Sequence, residues 1–224
     1  MHPRFILPAC LSVLFALRVL AEPVDPLAKW EPEVAAFEKK DAESPAPTKA
    51  VLFLGSSSIR MWTGVAKDFP EHRVLNRGFG GSMISDSIAL ADRLVFPYQP
   101  RMIVFYAGGN DINAGKSPET VAADFQTFAE KVHAKLPETD IAFISIAPNP
   151  KRWAQVEKVK AANELIEHYC QATPHLKFIN VFPHMLGPDG QPKEGIFRDD
   201  QLHMNAEGYK IWVEVVKPFL PDPI

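Results

Sequence analysis

Cysteine is scarce in this chain of 224 residues, and the spacings CxxC and HExxH, which hold zinc in many proteins, do not occur. We therefore predict no metal site. The two cysteines are Cys10 and Cys170. Cys170 follows an apolar periodic segment, so we expect a buried free thiol there, with a reactive thiol as the alternative.

A strong charge of one sign and long hydrophobic runs are missing as well. The 24 basic and 27 acidic residues are scattered along the chain and give a formal net charge of −3. Without a basic face to neutralise phosphates, the chain is not expected to bind nucleic acid. The hydrophobic fraction of 46% is ordinary for a globular protein, and the length suits one well-cored domain.

The first 21 residues have the pattern of a secretory signal peptide. Arg4 precedes the apolar run at 5–17, and the tripeptide that ends at Ala21 has small or aliphatic residues where a signal peptidase cuts. The run is too short and too interrupted for a membrane span of about 20 residues. We therefore predict a cleaved signal peptide at 1–21, a single domain at 22–224 and a secreted or periplasmic protein. A retained signal anchor is the alternative.

Beyond this segment, short apolar runs alternate with segments of helical periodicity. This order predicts a parallel sheet with helices on both faces. The predicted strands lie at 51–54, 74–76, 101–106, 141–146 and 178–182. The predicted helices lie at 25–41, 84–94, 118–136, 152–170 and 206–219.

Two of these helices carry finer expectations. Pro32 lies inside the first one, so that helix either starts near Glu31 or is kinked in its first turn. The helix at 152–170 should direct its large apolar side chains inward. These side chains are Trp153, Val156, Val159, Leu165, Ile166 and Tyr169.

The clearest strand, at 51–54, runs directly into Gly55 and three serines. In open α/β sheets, ligands bind just beyond the carboxyl ends of the strands, so a serine of this turn is a candidate nucleophile. The α/β-hydrolase elbow GxSxG is absent, because Ile59 stands where its second glycine would be. The serine site is therefore not of the α/β-hydrolase type.

Three further segments lie at the same edge of the predicted sheet. A glycine-rich segment at 77–82 follows the second strand, and the sequence AGGND at 107–111 follows the third. Before the last helix lies a DxxH motif, in which Asp200 can fix the tautomer of His203 and leave its other ring nitrogen as a base. Each motif alone is weak, because glycine turns and DxxH pairs are common. Their convergence on one edge with a serine favours hydrolytic chemistry.

Together these motifs resemble those of the SGNH hydrolases, also called GDSL-type esterases and lipases, over nearly all of residues 30–220. The family's GDS block resembles Gly55-Ser56-Ser57, in which Ser56 replaces the usual aspartate. This pattern is similar to that of a bacterial subgroup, and it leaves Ser56 and Ser58 as alternative nucleophiles. The other blocks match Gly81, Gly108-Gly109-Asn110-Asp111, Asp200 and His203.

The resemblance implies a flavodoxin-like three-layer α/β/α sandwich with five parallel strands. It implies that Ser57 is the nucleophile and that His203 and Asp200 complete a catalytic triad. The implied oxyanion hole consists of the Ser57 amide, the Gly81 amide and the Asn110 side chain. This chemistry needs neither a metal nor a cofactor.

The reaction that the resemblance implies is hydrolysis of short-chain acyl esters, such as O-acetyl esters of a small molecule or a carbohydrate, through an acyl-enzyme. The alternatives are a lipase, a thioesterase, an enzyme similar to platelet-activating-factor acetylhydrolase, or a secreted glycan-binding domain without catalysis. The sequence predicts no oligomeric state. Large apolar residues near the strand ends could line an acyl pocket unless they belong to the core. They are Trp62, Phe79, Ile112, Trp153 and Phe197.

Overall fold

The structure, a computed structural model, describes residues 27–223. The predicted signal peptide at 1–21 and Cys10 lie outside the described residues. The strands are β1 (Val51–Gly55), β2 (Val74–Gly78), β3 (Met102–Tyr106), β4 (Asp140–Ile144) and β5 (Leu176–Ile179). The helices are α1 (Glu31–Glu43), α2 (Ser57–Arg60), α3 (Val65–Asp68), α4 (Ile84–Leu94), α5 (Gly109–Asn113), α6 (Pro118–Lys135), α7 (Val156–Ala172) and α8 (Ala206–Val216).

The five strands form one sheet in the order β2-β1-β3-β4-β5, and every neighbouring pair is parallel. Helices cover both faces of this sheet, and a separate hydrophobic core fills the space on each face. The predicted α/β/α sandwich with five parallel strands is therefore confirmed. Because all strands are parallel, their carboxyl ends lie along one edge.

Side chains of β1 alternate between the two cores. Leu52 and Leu54 point into the core that α1, α4, α6 and α7 cover. Val51 and Phe53 point into the core on the opposite face, which α8 covers. All four side chains are fully buried. A strand that is covered on both faces must be apolar at every position, which explains the unbroken apolar run in the sequence.

The fifth strand ends earlier in the chain than predicted. β5 stops at Ile179, so the predicted strand at 178–182 was wrong in its bounds. The chain leaves the sheet there because the backbone N–H groups of Val181 and Phe182 donate to the hydroxyl of Ser145, at 3.0 and 3.1 Å. Ser145 directly follows β4, so one hydroxyl ends the pairing of these two strands.

The helix predicted at 152–170 differs from the structure at its start and on one face. Residues Pro150–Gln155 form a 3-10 segment, in which Asn149 caps the first turn by accepting the N–H of Arg152 at 2.9 Å. Leu165, predicted to be buried, is 40% exposed, because it lies off the buried stripe of α7. That stripe consists of Val159, Ala162, Asn163, Ile166 and Cys170.

An ion pair between a buried arginine and a partly exposed aspartate joins α1 to the sheet. This helix begins at Glu31 with Pro32 in its first turn, which was one of the two predicted possibilities. The Asp41 carboxylate accepts two hydrogen bonds from Arg77, at 2.5 and 2.6 Å, and a third from the Tyr98 hydroxyl at 2.6 Å. The Arg77 side chain is only 4% exposed. Because Arg77 belongs to β2, the pair joins α1 to the strand that leads into the glycine-rich segment.

Replacing Asp41 by Asn should therefore destabilise the fold. The neutral amide would leave the buried Arg77 without a counter-ion, at a cost of about 2 to 4 kcal/mol, since Asp41 itself is partly exposed. Urea unfolding followed by circular dichroism measures this loss. Glu43→Gln is the control, because Glu43 is exposed at the end of α1 and its replacement should cost less than about 0.5 kcal/mol. Equal stability of the two variants would show that the ion pair contributes nothing.

Candidate active site

The turn after β1 is set by a close approach of two strands. Gly55 has φ = 141°, and a Cβ built on it would lie 1.9 Å from the carbonyl oxygen of Tyr106 at the end of β3. Only glycine permits this approach. The backbone N–H of Ser56 donates to the same carbonyl at 2.9 Å. The turn is thereby fixed, and Ser57 becomes the first residue of α2.

Ser57, His203 and Asp200 form one hydrogen-bonded row at this edge. The Ser57 Oγ lies 2.9 Å from Nε2 of His203, and Nδ1 of His203 lies 2.6 Å from Oδ2 of Asp200. Within the described chain, the hydroxyls of Ser56 and Ser58 make no hydrogen bond to His203. The structure thus brings one serine of the three, Ser57, to the imidazole.

The carboxylate of Asp200 is held in its ionised form. The hydrogen bond from the His203 ring, followed by the hydrogen bond from the His203 backbone N–H, holds the pKa of Asp200 well below its usual range. The backbone N–H groups of Leu202 and His203 reach Oδ1 at 3.0 and 2.9 Å. A carboxylate fixed in this way can orient the imidazole and stabilise its protonated form.

The loop that carries the histidine is closed at its base. Phe197 and Met204 form an antiparallel bridge, and the backbone N–H of Arg198 donates to the carbonyl of His203 at 2.8 Å. Asn205 then caps α8 by accepting two N–H groups of its first turn. A short bridged loop and a capped helix therefore hold the imidazole at the edge of the sheet.

Three candidate N–H donors lie in the segments that follow β1, β2 and β3. Among the described residues, the backbone N–H groups of Ser57 and Gly81 have no acceptor. Gly81 has φ = 74°, a conformation that favours glycine in the turn after β2. The side-chain Nδ2 of Asn110 donates one hydrogen bond, to the carbonyl of Ser82 at 3.0 Å, which leaves its second N–H available.

The turn that contains Gly81 is supported by α1. Glu33 accepts the backbone N–H of Gly80 at 2.8 Å, and the ring of Trp30 packs edge-on against Phe79 with centroids 5.4 Å apart. Glu33 also pairs with Arg60 at 2.7 Å. Glu33 of α1 and Trp30, which directly precedes α1, thus contact the two residues before Gly81.

Asp111 has a structural position next to Asn110. Its side chain is fully buried and accepts the N–H of Ile84 as well as the Lys116 ammonium, which lies 2.8 Å away. These bonds tie the start of α5 to the start of α4. The two polar residues of the GGND segment therefore point in different directions, with Asn110 toward the site and Asp111 into the protein.

A cavity of about 40 Å³ opens beside Ser57 and His203. Of the five residues that could line an acyl pocket or belong to the core, Trp153 and Phe197 line the cavity. The other three belong to the core, which was the predicted alternative, because their side chains fill the space between the helices and the sheet. Trp62, Phe79 and Ile112 belong to the two cores and are at most 2% exposed.

Sequence reasoning missed Arg152, which lines the cavity and donates to Oδ1 of Asn110 at 3.1 Å. It also missed Tyr106 and Asn149, two further polar side chains of the lining. The sequence did contain a signal for these residues, because a polar segment that includes Asn149 and Arg152 follows the fourth strand. The carboxyl end of that strand lies at the same edge as the carboxyl ends of the other four strands.

Other kinds of chemistry find less support in residues 27–223. In this part of the chain, no group of three or more His, Cys, Asp or Glu side chains is arranged to hold a metal ion. No helix there is long and apolar enough to cross a bilayer. Burial raises the pKa of the Cys170 thiol to about 12, so this thiol is protonated at neutral pH and is not the nucleophile.

A hydroxyl, an imidazole and a carboxylate in one row, at the carboxyl edge of a parallel sheet, form the arrangement that serine hydrolases share. Comparison with protein families narrows this class. Residues 54–211 match the GDSL-like Lipase/Acylhydrolase family. The chain belongs to that family and is a carboxylic ester hydrolase.

Solved structures with the same fold include a Streptococcus pneumonia protein described as a platelet activating factor, with 21% identity and a TM-score of 0.76 over 87% of this chain and 94% of that chain. A GDSL-like lipase from Bacteroides thetaiotaomicron has 21% sequence identity and a TM-score of 0.72, over 83% of this chain and 96% of that chain. A protein described as an acylhydrolase from Bacteroides fragilis has 20% identity and a TM-score of 0.71, over 83% of this chain and 94% of that chain. No curated protein matches the chain. At these identities the likeness shows the fold.

The ionised state of Asp200 leads to a pH dependence. Because the pKa of Asp200 is held low, this carboxylate should stay ionised over the whole assay range, and kcat/KM should rise with pH because the reaction needs an unprotonated base. Asp200→Asn should lower kcat/KM by about 10³- to 10⁴-fold and move this rise to lower pH, because an amide does not stabilise the imidazolium. Asp199→Asn is the control and should change neither the value of kcat/KM nor the pH at which it rises. A rise that stays in place in Asp200→Asn would mean that another carboxylate supports His203.

Proposed function

We propose that this protein hydrolyses short-chain acyl esters, such as O-acetyl esters of a small molecule or a carbohydrate, with Ser57, His203 and Asp200 as a catalytic triad. The observation that carries the proposal is the pair of hydrogen bonds that joins these three side chains, at 2.9 and 2.6 Å. A glycan-binding domain without catalysis would have no use for an imidazole held against a serine hydroxyl. The arrangement therefore favours hydrolysis over binding alone.

In the first half of the reaction, Ser57 Oγ attacks the carbonyl carbon of the ester while Nε2 of His203 takes the hydroxyl proton. The tetrahedral intermediate then collapses. His203 gives the proton to the departing alcohol, and the acyl group stays bound to Ser57 as an ester. Asp200 remains ionised throughout and stabilises the imidazolium.

The negative charge on the carbonyl oxygen would be stabilised by three donors from the segments after β1, β2 and β3, which are the N–H groups of Ser57 and Gly81 and the side chain of Asn110. The two backbone donors have no competing acceptor among the described residues. Each such donor is worth about 3 kcal/mol to the transition state in comparable sites.

In the second half, water replaces the alcohol. His203 takes a proton from this water as its oxygen attacks the acyl carbon of the ester on Ser57. Collapse of the second tetrahedral intermediate releases the carboxylic acid, and the proton on His203 returns to the serine. The sequence of steps is balanced without a metal or an oxidant.

The size of the cavity supports a short acyl group. The cavity has a volume of about 40 Å³, and the bulky side chains of Trp153 and Phe197 are part of its lining. An acetyl group has three heavy atoms, whereas a long fatty acyl chain would have to lie outside the cavity. A secreted or periplasmic location, which the pattern at 1–21 predicts, would place the enzyme among esters outside the cytoplasm.

The assignment of the nucleophile predicts that Ser57→Ala loses esterase activity by at least about 10³-fold while its circular dichroism spectrum is unchanged. Hydrolysis of p-nitrophenyl acetate provides the measurement. Ser56→Ala and Ser58→Ala are matched controls, because neither hydroxyl contacts His203, and both should keep most of the activity. If Ser57→Ala keeps more than about a tenth of wild-type turnover, a different residue is the nucleophile.

The cavity size predicts that kcat/KM is highest for acetate and falls by at least about tenfold by octanoate, because longer chains lose their contact with the walls. A series of p-nitrophenyl esters from acetate to palmitate, run beside acetylated xylan, measures this preference. Trp153→Ala removes a residue of the cavity wall and should reduce the preference for acetate over longer esters. Leu165→Ala, on the exposed surface, should leave that preference unchanged. Equal or better hydrolysis of palmitate would favour a lipase instead.

A further inference from the structure

Arg152 is placed by local structure against the turn that carries Asn110. It lies in the 3-10 segment after β4, and its backbone N–H is fixed by the side chain of Asn149 at 2.9 Å. Its half-buried guanidinium crosses to the start of α5. There Nη1 donates to the carbonyl of Gly109 at 3.0 Å and to Oδ1 of Asn110 at 3.1 Å.

This guanidinium has no carboxylate partner among the described residues. Its Nε and Nη2 have no acceptor within that part of the chain either. Burial, partly offset by the neighbouring Tyr106, lowers the pKa of Arg152, but an arginine stays charged at neutral pH. A positive charge without a counter-ion therefore lies at the wall of the cavity, beside the amide of Asn110.

The two neighbours of Asn110 determine which way its amide faces. Arg152 can only donate, so it requires the oxygen end, and the carbonyl of Ser82 can only accept, so it requires the NH₂ end. In the flipped orientation, donor would face donor and acceptor would face acceptor. The observed orientation leaves one N–H of Asn110 for a substrate oxygen.

We infer that Arg152 is a positioning residue of the oxyanion hole, which fixes the Asn110 amide and, through its charge, strengthens the remaining N–H as a donor. The inference rests on the proposed function. Polarisation of an amide by a charged hydrogen-bond donor makes its own N–H a better donor, especially in a cavity with little water. Because the oxyanion exists only in the transition state, the effect belongs to kcat rather than to KM.

The direct test is Arg152→Met assayed with p-nitrophenyl acetate, a neutral ester. We expect kcat to fall about 10- to 100-fold with KM unchanged within about twofold. Arg152→Lys, which keeps the charge and one donor, should recover most of the loss. Lys151→Met is the matched control, because it removes the exposed positive charge of the preceding residue and should leave kcat unchanged.

A double-mutant cycle shows whether Arg152 acts through Asn110. Asn110→Ala alone should lower kcat by about 10²- to 10³-fold. In that background, Arg152→Met should lower kcat by less than a further threefold or so, because the amide through which Arg152 acts on the reaction has been removed. If the double variant instead lost kcat by the product of the two single losses, the inference would be overturned. A loss of thermal stability with kcat preserved would also overturn it, and is the result expected if Arg152 only ties α5 to the 3-10 segment.

An anionic ester separates the inference from a role in substrate recognition. p-Nitrophenyl hemisuccinate carries a carboxylate that an unpaired arginine could bind. If Arg152→Met raised KM for this ester alone and left acetate hydrolysis unchanged, Arg152 would be a contact for the substrate anion and the positioning role would be wrong. Failure of the proposed function is a separate result, since it would appear as residual activity in Ser57→Ala whatever Arg152 does.

Discussion

The site depends on the close contact between the ends of the two central strands. Gly55 lies against the carbonyl of Tyr106, and the same carbonyl accepts the N–H of Ser56. This contact starts the turn that presents Ser57. Because Asn110 follows Tyr106 by only four residues, the same point of the sheet also anchors the segment that carries Asn110. Ser57 and Asn110 thus share a single backbone anchor.

The sequence predicted those parts of the structure that follow from local pattern. Buried parallel strands must be apolar throughout, so the order of strands and helices was visible as alternation of two periodicities. The polar segments after the strands had to meet at one edge of the sheet, so the sequence predicted that Ser57, Asn110 and His203 lie close together. The DxxH spacing also predicted the contact between Asp200 and His203, since three residues of loop can bend back on themselves.

What the sequence did not predict depends on partners far away in the chain. β5 ends where it does because of the hydroxyl of Ser145, which lies 36 residues before Val181. Arg152 reaches an amide oxygen 42 residues earlier. Trp62 has the same local pattern as a pocket residue, and its burial against Trp212 becomes visible only once α8 is packed on the sheet. Such contacts join residues that are far apart in the chain, so they leave no periodic pattern in any short stretch of the sequence.

The support that α1 gives to the glycine turn bears on where the working unit of this protein begins. The family match starts at residue 54, whereas Trp30 and Glu33, which hold Phe79 and Gly80, lie more than 20 residues before it. A shortened protein cut at the family boundary would keep Ser57, Asp200 and His203, but it would lose residues 51–53 of β1 together with the contacts that Trp30 and Glu33 make with Phe79 and Gly80. For expression and engineering, α1 therefore belongs with the domain that the family match defines.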